Sequence, residues 1–503
     1  MKQIQQRIQR INHSTAKYQK HRDRFYYIYL LITDFLSASY TFLFSPIKKK
    51  AFTARFANKL EEWNILRSSN TGFVIDGIRA ISKKDAFKNC IVYGLTGSEK
   101  TQTCFIPSIL NLDTSAVILD CSGELYEQTS GHLYGQGFTI KRFNLTDISC
   151  SETYNPLLRI DENDTGKMNE LASTLVETSL GSTGGDNKFW VNSATSVLYT
   201  LIRALIEKGD RKYCTLYNVL HMVNNLSSSK KSLTYLWMMK NAQGACFTEF
   251  RGHLSGNPKT VDSILATIRG SLEKIANTSV ASITGSDSFG DFGKMRREPT
   301  ALYITVNELM IPYFSFVLSL LVTDLFSMVL KTPKKDDLPI FFLLDEFTQM
   351  KIPNFATIST VIRKRKSGLL LCAQAKSQFY KQYGKNDGVT ITTGGTATHV
   401  YLQNNNFAEI EELSKSLGKR SVRVNGKDIT KPLMGADEIF RMEGKGIVMQ
   451  TGKRPILIHP VPAYRNKKLT PLTQKPPAPY PETEKPLPPT IDFSQYNQPA
   501  LPT

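Results

Sequence analysis

The sequence holds no pair of cysteines at C-x-x-C spacing and no H-E-x-x-H or comparable histidine pair. Its seven cysteines (Cys90, Cys104, Cys121, Cys150, Cys214, Cys246 and Cys372) are scattered and odd in number. A zinc ribbon, a disulfide framework and a protein-built metal site are thereby excluded as organising features, and the thiols fit a reducing cytoplasm. Acids are also scarce, with 44 Asp and Glu against 63 Lys and Arg, a net charge of +19. That deficit favours polyanionic partners, either nucleic acid or an acidic membrane surface; the plainer alternative is basic tails with no specific partner. No internal repeat is present, so organisation has to be read segment by segment. At 503 residues and 41% hydrophobic content the chain can bury two or three cores.

Residues 1–60 stand apart as a basic N-terminal segment. Residues 1–24 carry seven Lys and Arg against Asp23 alone, and the apolar run Phe25–Phe44 is followed by Lys48-Lys49-Lys50. A spanning helix needs roughly 20 apolar residues. Asp34, at the centre, would cost about 2.5–3.5 kcal/mol in a bilayer, and Ser37, Ser39 and Thr41 weaken the run further. No small-residue cleavage site follows, which argues against a signal peptide. Three readings of residues 25–45 stand: an interfacial helix held to anionic lipid by its flanking cations, a transmembrane helix, or a helix packed on the body. The first is preferred.

Short apolar runs then alternate with helical patterns. Cys90–Tyr93, Ala116–Asp120, Ala301–Val306, Pro339–Phe347, Gly368–Gln374 and Ala397–Gln403 read as buried strands. Their alternation with helices predicts an α/β fold with a doubly wound, mostly parallel twisted sheet. From about Leu157 to Thr278 the text turns helical. The division expected is therefore 61–158 and 286–462 as two parts of one nucleotide-binding domain, with 159–285 inserted as an all-α domain. Residues 463–503 hold ten prolines between Pro471 and Pro502 and read as a disordered or extended tail.

The chemistry begins after the first strand. Gly94-Leu95-Thr96-Gly97-Ser98-Glu99-Lys100-Thr101 leads into a helix-compatible run, the context of a phosphate-binding loop. Backbone N–H groups at a helix N-terminus wrap phosphates; Lys100 would reach the β- and γ-phosphates of ATP and Thr101 would hold Mg²⁺. Glu99 stands where G-x-x-x-x-G-K-[ST] has glycine, which threatens backbone strain on the order of 1–3 kcal/mol and sets a carboxylate beside the triphosphate. Its side chain either turns outward or cripples nucleotide binding. The second half is Phe341–Phe347, an apolar strand ending in Asp345, suited to the Mg²⁺ shell, and Glu346, suited to polarising water. A third strand ends at Gln374, placed to sense the γ-phosphate. Arg363 and Arg365 precede it and can act in trans as an arginine finger in a ring, or form a solvated basic turn.

With these residues in order, the chain resembles the type IV secretion and conjugative DNA-transfer coupling proteins (TraG/TraD-like), within the FtsK/HerA group of ring motors. The likeness spans residues 85–462. It rests on the loop above, Asp120-Cys121-Ser122-Gly123-Glu124-Leu125-Tyr126, Tyr154-Asn155-Pro156-Leu157, Asn187-Lys188-Phe189-Trp190, LLDEF, Gln374–Gln378 with Tyr383-Gly384, Ser414–Gly418 and Pro432-Leu433. It implies a RecA-like P-loop NTPase, an inserted domain that receives relaxosome or secretion substrate, and a homo-hexamer at the cytoplasmic face of the bacterial inner membrane, peripheral or single-pass. Implied partners are single-stranded DNA with its relaxase, the secretion channel components and the anionic membrane. Departures from the pattern are Glu99, Ser122 where Lys is usual, a shortened stretch between Arg365 and Gln374, and one N-terminal apolar segment instead of two. Three functions follow from this reading: an ATP-hydrolysing motor, a non-hydrolysing adaptor that docks DNA or effector protein, and a cytosolic DNA translocase unconnected with secretion. DNA contact is expected around Lys366–Leu370 and Lys376.

Overall fold

The computed structural model describes residues 53–180, 187–403, 406–425 and 427–496, together with Tyr26, Tyr29, Ile32 and Thr33. The expected N-terminal helix over 25–45 lies, apart from those four residues, outside the described residues.

The apolar runs form strands because each is buried on both faces. β1 (Cys90–Tyr93), β2 (Ser115–Asp120), β3 (Thr139–Asn144), β4 (Thr300–Thr305), β5 (Ile340–Leu344), β6 (Ser367–Ala373) and β7 (Thr398–Tyr401) pair in parallel. β8 (Lys419–Val424) and β9 (Lys427–Pro432) form a separate antiparallel hairpin. β10 (Gly446–Gln450) and β11 (Ile456–Ile458) close the main sheet antiparallel, giving the order β11-β10-β7-β1-β6-β5-β2-β4-β3. Alternate residues of each strand enter opposite cores. Ile91, Tyr93, Val117, Leu119, Phe342 and Leu344 point into one, while Cys90, Val92, Ala116, Ile118, Phe341 and Leu343 point into the other.

Between β3 and β4 the chain is helical, including Thr165–Leu180, Asn187–Lys208 and Pro258–Leu272. This run shares the first core with the sheet and rests on helix Ile311–Val329, which packs against Thr165–Leu180. Asn187–Lys208 and Ile311–Val329 are long and apolar enough to cross a membrane, yet half or more of each apolar stretch is buried within the protein.

Of the two forms expected for the Pro-rich segment, disordered or extended, the described residues take the second. Through Tyr496 it runs extended across the body as a strap. Ala478 donates its N–H to Ser130 Oγ at 3.0 Å and accepts from the Tyr126 hydroxyl at 2.6 Å. Thr483 N–H reaches Ser149 O, and the Tyr480 hydroxyl reaches Glu152 at 2.9 Å. Further on, Asn218 donates to Pro489 O and accepts from Ile491 N–H, both at 2.9 Å, and Phe493 stacks on His221 at 5.0 Å. Proline has no N–H to offer a sheet. The strap is fastened instead by side chains of the surface beneath it and by burial of Ala478, Ile491 and Phe493.

Candidate functional site

β1, β5 and β6 are neighbours in the sheet and run parallel, so their C-terminal ends meet at one edge. The loop Gly94–Thr101, the pair Asp345-Glu346 and Gln374 all lie there. Gly94 is needed because a Cβ there would meet Ser98 Oγ at 2.4 Å and Leu402 Cβ at 3.2 Å. Gly97 sits at φ +80°, in the left-handed region that favours glycine. After the loop the helix opens as a wide turn, with Ile106 N–H bonding Thr101 O; it continues from Ile106 to Leu110.

Thr101 Oγ1 donates to Asp345 Oδ2 at 2.6 Å, joining positions 244 residues apart. Lys100 is buried, and its ammonium donates to the carbonyls of Gly94 at 2.9 Å and Leu95 at 2.8 Å. Gln374 donates its side-chain amide to Thr96 Oγ1 at 3.1 Å, tying the third strand to the phosphate loop. Its backbone N–H bonds Gln378 Oε1 at 2.8 Å. Glu346 takes the left-handed conformation at φ 48°, ψ 32°, and its N–H bonds Asp345 Oδ1 at 3.0 Å. A hydroxyl and a buried carboxylate side by side suit a hard cation such as Mg²⁺. The Cys372 thiol also lies within 4.8 Å of the Asp345 and Glu346 carboxylates. Burial, and then Asp345, push its pKa well up, and a hard cation such as Mg²⁺ prefers the oxygens beside it to sulfur.

Glu99 is at φ 58°, the left-handed conformation anticipated for a residue in a glycine position. Its carboxylate accepts a hydrogen bond from the Tyr464 hydroxyl, and that carboxylate in turn holds the Tyr464 phenol above its ordinary pKa range. Tyr464 is anchored from both sides: Val461 N–H bonds Asp76 O, and Asn466 donates to Gly77 O at 2.9 Å. Sequence reasoning missed Tyr464. It lies 365 residues from its partner, just beyond an antiparallel strand, and no local pattern marks it.

Asp120, at the end of β2, accepts from the backbone N–H groups of Leu125 at 3.2 Å and Tyr126 at 2.8 Å. It thereby caps helix Glu124–Gly135, while burial raises its pKa to about 6. Ser122 is exposed and accepts from Glu124 N–H at 3.3 Å.

Arg363 and Arg365 are not brought to this edge. They occupy the turn Ile362–Arg365 that enters β6 at its N-terminal end, the opposite side of the sheet. Arg365 bonds Thr332 Oγ1 at 2.8 Å, and Arg363 lines a polar cleft with Lys88, Ser359 and Thr396. Ser367–Leu370 is buried inside β6, the Lys366 ammonium caps the carbonyls of Lys334 and Lys335, and Lys376 is paired with Glu412 at 2.6 Å.

Residues 47–483 match the family model described as type IV secretory system conjugative DNA transfer. Protein VirD4 of Rhizobium radiobacter is 22% identical over 413 residues, covering 76% of this chain and 58% of that protein. VirD4 of Rhizobium rhizogenes is 21% identical over 408 residues, covering 75% and 59%. The chain thus spans under two thirds of the length of these curated relatives. Among solved structures, the unbound bacterial conjugative coupling protein TrwBdeltaN70 superposes with a TM-score of 0.62 at 17% identity, covering 82% of this chain and 94% of that one. Plasmid coupling protein TrwB in complex with ADP and Mg²⁺ gives 0.62 at 16%, covering 86% and 96%. At such identity the likeness shows a shared fold. With most of its length matched by the family model, the chain belongs to the type IV secretory system conjugative DNA transfer family, the coupling proteins.

Proposed function

We propose that the chain is an ATP-hydrolysing coupling protein that drives a relaxase-bound single DNA strand into a type IV secretion channel. The observation that carries this reading is the join of Thr101 to Asp345, with Gln374 on the loop and the Glu99 carboxylate tied to Tyr464. The N–H groups of the loop and Lys100 would hold the triphosphate, Lys100 exchanging its two carbonyl partners for phosphate oxygens. Thr101 and Asp345 would hold Mg²⁺, which supplies positive charge to the β- and γ-phosphate oxygens. Glu346 would orient and deprotonate the attacking water, and Gln374 would report the γ-phosphate to the loop. Arg363 or Arg365 serves a neighbouring subunit, in keeping with their place on the far side of the sheet and with a homo-hexamer. The helical run between β3 and β4 is read as the domain that receives the relaxosome. TrwB has been solved with the ATP analogue ADPNP, which supports nucleotide as the ligand of this fold. The assembly would sit at the cytoplasmic face of the inner membrane.

Glu99 favours a second reading, a non-hydrolysing adaptor that docks DNA or effector protein. Nucleotide binding and turnover, with and without single-stranded DNA, separate the two. The motor turns over ATP faster with DNA, Glu346→Gln still binds but loses turnover, and Glu99→Gly changes affinity by at most about 150-fold, the strain at that position being about 1–3 kcal/mol. A wild-type chain that binds no ATP analogue, beside a Glu99→Gly chain that does, establishes the adaptor.

A further inference from the structure

The β8–β9 hairpin stands off the main sheet and is exposed along nearly its whole length. Residues 419–432 contain Lys419, Arg420, Arg423, Lys427 and Lys431 against Asp428 alone. Among the described residues none of these five cations forms an ion pair. The pairing register sets Arg420, Val422 and Val424 opposite Lys431, Ile429 and Lys427. Because alternate residues of a strand share a face, one side of the hairpin presents three aliphatic β-branched side chains edged by three cations. Val424 is 40% exposed and Ile429 38%. The sheet does not explain this arrangement, since the hairpin adds no strand to it.

Its position is equally specific. Thr53 bridges Arg420 in antiparallel fashion, and Ala54 N–H donates to Lys419 O at 3.1 Å. Thr53 follows Lys50 by three residues, a reach of at most about 10 Å. The hairpin is therefore stitched to the chain directly after the Lys48–Lys50 cluster and the apolar run that precedes it. Two macromolecules attract such charge. Single-stranded nucleic acid is gripped by cations together with aromatic rings that stack on bases, and residues 419–432 contain no aromatic residue. Aliphatic side chains rimmed by Lys and Arg instead suit the boundary between anionic headgroups and acyl chains.

We propose that the β8–β9 hairpin is a membrane-contact element that seats the body of the protein on an anionic lipid surface. The assignment does not depend on whether ATP is hydrolysed.

The test uses the full chain and vesicles of phosphatidylcholine with or without phosphatidylglycerol. A cation near an anionic surface contributes about fivefold to partitioning. The variant R420E/K427E/K431E is therefore expected to bind phosphatidylglycerol vesicles about a hundredfold more weakly or worse, with ATP turnover and single-stranded DNA binding unchanged. Val424→Trp gives an independent readout that needs no loss of charge: the emission it adds to that of the wild type shifts to the blue with anionic vesicles and stays put with neutral ones. Undiminished vesicle binding by the triple variant overturns the proposal, as does an added emission from Val424→Trp that ignores anionic vesicles. Loss of DNA binding with vesicle binding intact overturns it in favour of a nucleic-acid contact.

Discussion

Two extended stretches of this chain are held in opposite ways. The central strands β1, β5 and β6 satisfy their backbones against one another and bury every side chain. The strap from about residue 474 to 493 is just as extended, but its prolines cannot join a ladder, and its fastenings are isolated bonds, among them those to Tyr126, Ser130, Glu152 and Asn218. An extended conformation in the sheet is stabilised collectively, whereas in the strap each receiving side chain matters by itself. The sheet can therefore carry reactive groups at its strand ends with little cost to stability, and the strap cannot lose a partner unnoticed.

The largest expected effect lies at the strand ends. Thr101→Val should lower ATP turnover on the order of a hundredfold or more, as loss of a group aimed at transition-state charge does, with a melting temperature near that of the wild type. A variant that unfolds instead would erase the distinction between chemistry and scaffold. Within the sheet, His399 on β7 is half-buried, with its pKa depressed by desolvation and then by Lys376 to about 4. Its folded value lies below the unfolded one, so its contribution is intact above pH 6.5 and is lost as pH falls toward 4. The loss approaches about 3 kcal/mol. Melting curves from pH 7 to 4 should show a shallower acid decline for His399→Phe than for the wild type.

The strap makes a sharper prediction at Gly131. Alanine normally stabilises a helix interior by up to about 1 kcal/mol over glycine. A Cβ at Gly131, however, would lie 1.9 Å from Pro476 O. Gly131→Ala should destabilise by roughly 1–3 kcal/mol through overpacking, while Gly135→Ala, with nothing within 4 Å of the new Cβ, should not. Equal melting temperatures for the two variants would show that the strap does not press on this helix. The smallest effect is expected from Asn218→Ala, which removes two of the hydrogen bonds to the distal strap at a cost of about 1–2 kcal/mol. Limited proteolysis should then cleave between residues 480 and 496 well before it attacks the sheet.

The two stretches also differed in how far they could be read from sequence. The parallel strands were legible because burial on both faces leaves an unbroken apolar run, and the phosphate loop because its glycines and Lys100-Thr101 sit between a strand and a helix. β3 was missed because TIKRFN is an edge strand whose Lys141 and Arg142 blur the pattern. The hairpin was missed because both its faces are open. The strap misled for a different reason: its composition describes what it cannot do for itself, while what holds it belongs to residues 126–152 and 218–221. Glu99 is a mixed case, its backbone strain foreseeable and its partner Tyr464 not.

The strap has one more consequence, which concerns time. During synthesis residues 474–496 leave the ribosome after every strand of the sheet and after the whole helical run between β3 and β4. A nascent chain that has reached Ile458 already holds both bodies the strap will join, and domains fold largely as they emerge. The join is thus made between surfaces already formed, by a segment with no competing structure of its own to undo. The strap works as a late closure, and a defect in it should release residues 474–496 while the sheet and the helical run stay joined through the core they share.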